Sequence, residues 1–134
     1  MTSAGILDTS AVIALPRLQS PADLPDHAVT TTVTLAELAV GPLVADDVHE
    51  RARRQALLQQ AEADLEALPF DIAAARAFGR VGADLRRAGR KPAARAYDAM
   101  IAAIAVSRGL PVYTANPADF ARIGGLTVVA LPAG

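Results

Sequence analysis

Short apolar runs, too brief for buried helices, recur along this chain, and most give way at once to residues at helical spacing. In "GILDTSAVIA", residues 5 to 14, Ile6 and Leu7 lead into Asp8, and after Thr9 and Ser10 the apolar text resumes from Ala11 to Ala14. The run up to Leu7 reads as a buried strand. The hydroxyl pair suits the start of a helix that Pro16 should end. Val29 to Val33 is β-branched throughout and reads as a second strand, followed by "TLAELAVG", a short helix closed by Gly41 and Pro42. Strands that alternate with helices are joined most simply by crossovers, so the expected fold is α/β with a mainly parallel sheet covered on both faces.

The remaining text fits that plan. Pro16 to His27, with Pro16, Pro21 and Pro25, is the least regular stretch and reads as a loop or broken helix. Asp46 to Leu68 has the pattern of a long amphipathic helix, capped by Asp46 or Asp47 and stopped by Pro69. A second helix starts at Asp71, spaces Ile72, Ala75, Phe78, Val81, Gly82 and Leu85 along one side, and ends at Gly89. These two are expected to form a polar-faced pair. "AYDAMIAAIAVSRG" is apolar nearly all round from Met100 to Val106, which predicts a buried helix ending at Gly109. Pro111 to Thr114 and Thr127 to Leu131 read as the last two strands, with "NPADFARIGG" forming a turn and short helix between them.

With 134 residues the chain is expected to be one domain, residues 1–134, built around a single core. No apolar stretch nears the roughly 20 residues needed to cross a bilayer, and the N-terminus lacks a basic signal head, so a soluble, cytoplasmic protein without a membrane partner is expected. Cysteine is absent, which excludes disulfides, thiol nucleophiles and thiolate metal sites. His27 and His49 lie far apart in polar text. Any metal would therefore need oxygen ligands.

Four acids can each be explained by local structure. Asp8 can cap the helix after it, Thr34 to Glu37 and Asn116 to Asp119 both spell capping boxes, and Asp98 complements a helix N-terminus. Together they say more. Asp8 follows the first strand, Glu37 lies a turn beyond the second, and Asp119 follows the strand ending at Thr114; in an open parallel sheet those carboxyl ends share one rim, where ligands bind at the reversal of strand order. Asp98 joins them if its helix packs with its N-terminus at that rim. Crowded carboxylates must take up protons or bind a cation. An all-oxygen set suits Mg²⁺ or Mn²⁺, which can polarise a phosphodiester and activate water.

"ILDTSAVIA", "TVTLAELAVG", "YDAMIAAIAV" and "VYTANPADFARI" stand in the order and context of the PIN-domain ribonucleases, and the chain most closely resembles the VapC toxins of bacterial type II toxin–antitoxin modules. The resemblance covers roughly Gly5 to Leu131. It implies a three-layer α/β/α sandwich, an acidic quartet of Asp8, Glu37, Asp98 and Asp119 holding Mg²⁺ or Mn²⁺, and RNA cleavage at a phosphodiester. Thr114 and Asn116 match the family's small polar positions beside the last acid, and Thr9 and Ser10 support Asp8. It also implies a homodimer and a VapB-like antitoxin that lays a C-terminal segment over the active-site groove. Compared with that family, the interval between Asp8 and Glu37 is short and proline-rich, so its usual second helix is expected to be reduced or remodelled.

The net charge of −1 conceals a basic segment: Arg76, Arg80, Arg86, Arg87, Arg90, Lys91 and Arg95 are opposed only by Asp84. One account is a solvated helix face with cations at its C-terminal end. On the family reading, Arg86, Arg87, Arg90, Lys91 and Arg95, which directly precede the Asp98 helix, hold RNA phosphates that an acidic pocket alone would repel. Other enzymes fit less well. An aspartyl-phosphate phosphatase wants a second acid at Ser10, a receiver domain wants a lysine at a late strand end where this chain has only Lys91 in a loop, and no Gly-rich loop follows the first strand as a dinucleotide site requires. A non-catalytic RNA- or protein-binding module of the same fold is the better rival.

Overall fold

The computed structural model describes residues 3–18, 20–91 and 95–132. Five strands, β1 (Ala4–Leu7), β2 (His27–Thr31), β3 (Ala67–Leu68), β4 (Val112–Thr114) and β5 (Val128–Ala130), form one sheet in the order β3-β2-β1-β4-β5, every pair parallel. Five α-helices accompany them: α1 (Thr9–Ala14), α2 (Thr32–Leu43), α3 (Val48–Asp64), α4 (Ile72–Arg87) and α5 (Ala96–Arg108). Alternation along β1 shows why the sheet is covered twice. Ile6 packs into a core with α4 and α5, whereas Leu7 packs into a second core with Ala11, Val12, Leu38 and Ala61 of α1, α2 and α3. The three-layer α/β/α arrangement follows from those two cores.

The chain order of the strands locates the reversal point. From β1 the chain moves to β2 on one side and later returns to β4 on the other, so the carboxyl ends of β1 and β4 flank a crevice. Gly5 lets the strands approach, because a Cβ there would lie 2.5 Å from the Tyr113 ring and 3.2 Å from Pro25.

Several boundaries differ from the sequence reading. Strand β2 spans His27–Thr31 and not Val29 to Val33, because Thr31, the last residue of the strand, is also the cap of the next helix: its hydroxyl accepts the Thr34 N–H at 3.0 Å, starting α2 two residues early. Pro42 sits within the last turn of α2, which ends at Leu43. The long helix capped by Asp47 stops at Asp64, and β3 occupies part of the stretch assigned to it. Two residues of edge strand carry too little periodicity to be read, and they are held by Thr30 and Thr31 of β2. The two polar-faced helices do not pair: α3 packs on α2 and α4 on α5, on opposite faces of the sheet. Between Pro16 and His27 the chain forms two 3₁₀ turns, Leu15–Arg17 and Pro21–Asp23, with Gln19 outside the described residues.

Candidate metal centre

Asp8 stands at the tip of β1, 4 % exposed, in the gap between β1 and β4. One carboxylate oxygen accepts the Ser10 hydroxyl at 2.7 Å and the Ala11 N–H at 2.8 Å, so the helix-capping role is real; the other accepts the Thr114 hydroxyl at 2.6 Å. Backbone amides fix the direction of both hydroxyls. Ala115 N–H donates to Ser10 Oγ at 3.0 Å and Asn116 N–H to Thr114 Oγ1 at 2.9 Å, leaving each hydroxyl proton to point at Asp8. Such a frame favours an ionised carboxylate. Burial works against it and raises the Asp8 pKa overall, with Thr114, Ala11 and Ser10 pulling down and Asp119 adding a smaller push upward.

Glu37 lies in the second turn of α2, beyond the reach of a capping box, whose place is taken by Thr31 and Thr34. Its Oε1 instead accepts the Thr9 hydroxyl at 2.6 Å, which ties α2 to α1. Burial raises its pKa, Thr9 lowers it, and the Asp8 charge raises it again. The Asn116 capping box is also absent: Asn116 precedes the 3₁₀ turn Pro117–Phe120, but its side chain makes no capping bond and only its backbone serves the site. Asp119 is therefore free of the local role the sequence offered it.

Asp98 occupies the first turn of α5, and that helix does bring its N-terminus to the rim. Its pKa is pushed up to about 6 by burial first, then by the charges of Asp119, Glu37 and Asp8, with Arg95 opposing. All four acids thus share one field. Among the described residues no three of them stand close enough to chelate an ion as the side chains lie. Two hydrogen-bonded partners hold acids aside: Arg95 forms an ion pair with Asp119, and Thr9 holds Glu37. The donor set nonetheless fits a hard divalent cation, being oxygen only, half-buried or buried, and underneutralised by the single nearby arginine.

The basic residues divide. Arg86 and Arg87 are exposed in the last turn of α4, where they also complement its dipole, and Arg87 pairs with Asp84 at 3.1 Å. Lys91 is exposed, Arg90 is half-buried with one buried Nη1 lacking a hydrogen-bond partner, and Arg95 faces the acids. A feature not read from the sequence is a groove of about 1070 Å³ between α1 and α3, lined by Val12, Ile13, Leu15, Leu38, Leu57 and Leu65 and reaching Thr9 and Glu37 at one end. Helix α3 is long yet buries only Ala61 fully, and Leu57 and the C-cap residue Leu65 stay half-buried along the groove.

Comparison with known proteins bears on the family and the fold. The model of the PIN domain matches residues 6–126. The chain is 46% identical over 129 residues to the ribonuclease VapC5 of Mycobacterium tuberculosis, covering 95% of this chain and 93% of that one. It is 38% identical over 96 residues to the tRNA(fMet)-specific endonuclease VapC of Shigella flexneri, covering 72% and 69%. Among solved structures, VapBC-5 from Mycobacterium tuberculosis, a member of a toxin–antitoxin family, superposes with a TM-score of 0.83 at 41% identity over 96% of this chain and 99% of that one. DNA-bound VapBC from Salmonella typhimurium gives 0.74 at 30% identity, covering 96% and 97%.

Proposed function

The chain belongs to the PIN-domain family, among its VapC ribonuclease toxins, and from that premise we propose that Asp8, Glu37, Asp98 and Asp119 together hold Mg²⁺ or Mn²⁺ and cleave RNA. The observation that carries this reading is the convergence of acids delivered by β1, α2, α5 and the turn after β4, where burial first and neighbouring carboxylates second raise the pKa of Asp8, Glu37 and Asp98. A divalent ion held there supplies positive charge to a phosphodiester and a water made more acidic. The chain's own residues do the rest. Asp8 is aimed by the sheet and by two hydroxyls whose protons point at it. Asp98, whose pKa is raised to about 6 by burial and by the charges of Asp119, Glu37 and Asp8, is a carboxylate that a bound cation would hold in its ionised form. Arg86, Arg87, Arg90 and Lys91 supply cationic contacts for the RNA backbone, and Arg95 lies where it meets either a carboxylate or a phosphate. Thr9, Ser10, Thr114 and the Asn116 backbone hold the acids in place.

A cognate VapB-like antitoxin fits the apolar groove, because a segment laid along it from α3 toward α1 arrives at Thr9 and Glu37. Val40, Leu43, Val44 and Val48 at the α2–α3 turn are exposed large apolar side chains as well. A homodimer working in the cytoplasm completes the reading; no helix among the described residues is long and apolar enough to cross a membrane. The test is Asp8→Asn combined with Asp98→Asn, which abolishes Mg²⁺-dependent RNA cleavage while circular dichroism shows the fold retained. Full activity in that double variant refutes the mechanism and favours a binding module. Neutralising Arg86, Arg87, Arg90, Lys91 and Arg95 lowers the salt dependence of RNA binding; an unchanged slope removes them from the RNA surface.

A further inference from the structure

Aromatic side chains are scarce here, three Phe and two Tyr with no Trp, and four of the five serve the interior. Phe120 is 1 % exposed, Phe70 and Phe78 meet edge to face against the first core, and Tyr113 packs against the second beside Gly5. Tyr97 is the exception at 53 % exposed. It stands in the first turn of α5, a helix whose other large side chains are buried or half-buried up to Val106. An alanine there would serve helix formation better, so the helix itself does not call for the ring. Its place in the chain is informative. Asp98 is the next residue, and Arg95, two residues earlier, reaches Asp119. Neighbours on a helix diverge by about 100°, so the ring leaves α5 in a direction adjacent to that of Asp98 and faces solvent.

Resting on the ribonuclease reading, we infer that Tyr97 is a stacking platform for an unpaired RNA base flanking the phosphate that is cut. A pit of four carboxylates repels the polyanion it has to hold. Cations offset that repulsion only at the salt-dependent level of phosphate contacts. Stacking is uncharged, tolerates any base because every base has a π-face, and contributes roughly five- to hundredfold in affinity per base. An exposed ring one residue from a site acid supplies it at the point where a single strand must be splayed for cleavage.

The test measures binding of a short single-stranded oligoribonucleotide to the full chain in EDTA across a range of salt, alongside cleavage of the same RNA in Mn²⁺. Tyr97→Ala weakens binding about tenfold or more at every salt concentration, leaving the slope of log affinity against log salt unchanged because no counterion contact is lost. Tyr97→Phe binds within about twofold of the parent, whereas Tyr97→Leu, apolar but without a ring to stack, does not. Since the chain has no Trp, Tyr113→Phe leaves Tyr97 as its sole tyrosine and dominant emitter, and RNA quenches that emission. Equal affinity in Tyr97→Ala, rescue by Leu, or unquenched emission overturns the inference. So does a change of oligomeric state in Tyr97→Ala without loss of RNA affinity, which assigns the ring to a contact between copies. If the parent cleaves RNA while these outcomes appear, the stacking role alone fails; if the parent neither binds nor cleaves RNA, both readings fail together.

Discussion

Replacing Asp98 by Asn should make the metal-free protein more stable. Burial and three like charges lift its pKa from the ordinary 3.8 to about 6. Each pKa unit is worth about 1.4 kcal/mol, so the shift corresponds to about 2–3 kcal/mol once the partly hydrated position is allowed for. The sign follows from proton counting. Folded Asp98 keeps a proton that the unfolded chain releases near pH 4, so unfolding becomes easier as pH rises from about 4 to 6, and above 6 the penalty is constant. Asn carries no such penalty. Urea denaturation followed by circular dichroism in EDTA should therefore show Asp98→Asn level with the parent at pH 4 and ahead by about 2–3 kcal/mol at pH 7.5, roughly 8–10 °C in Tm for a domain of this size. Saturating Mn²⁺ should narrow the gap, since an ion that binds the parent more tightly stabilises it by mass action, about 2.7 kcal/mol at a hundredfold excess over Kd. A gap that is absent, reversed or independent of pH would show that Asp98 does not sit in the field described for it.

Asp8→Ala removes a helix cap and leaves the Ser10 and Thr114 hydroxyls without their acceptor, so it should cost about 2–4 kcal/mol in the same denaturation assay. Gly5→Ala drives a methyl into the Tyr113 ring and should lower stability by about 1–3 kcal/mol; a neutral result would mean that ring turns aside freely. Arg95→Gln frees Asp119, and Mn²⁺ titration by electron paramagnetic resonance should show binding tightened about three- to tenfold, the equivalent of a partly exposed ion pair; weaker binding would show that Arg95 does not compete with the ion. Ile13→Asp with Leu57→Glu should abolish binding of the antitoxin's C-terminal peptide, read by calorimetry, while RNA cleavage persists.

Legibility from sequence tracked how local the determining physics is. Strand β1, the Asp47 and Asp71 caps and the left-handed Gly109 follow from residues adjacent in the chain, and each lies where periodicity and end signals place it. The α2 boundary is not legible because Thr31, Thr32 and Thr34 all suit a strand or a cap, and only packing decides that Thr31 takes the Thr34 amide. Strand β3 leaves no local signal because its identity resides in Thr30 and Thr31 of a partner strand. The same distinction holds at the site. Topology brings Asp8, Glu37 and Asp119 to one rim and the family resemblance adds Asp98, yet the pairing of Arg95 with Asp119, 24 residues away, and the seating of Glu37 on Thr9 depend on side-chain reach that no spacing encodes.

Insertion of β4 next to β1 has a consequence for synthesis. Asp8 emerges from the ribosome early, but the strand that flanks it and the hydroxyl that orients it arrive more than a hundred residues later, with Asp119 behind them. A polypeptide released before Thr114 lacks both the wall and the last acid. For a ribonuclease toxin, folding order thus acts as a delay: the wall of the site and its last acid exist only after Asp119 has been translated.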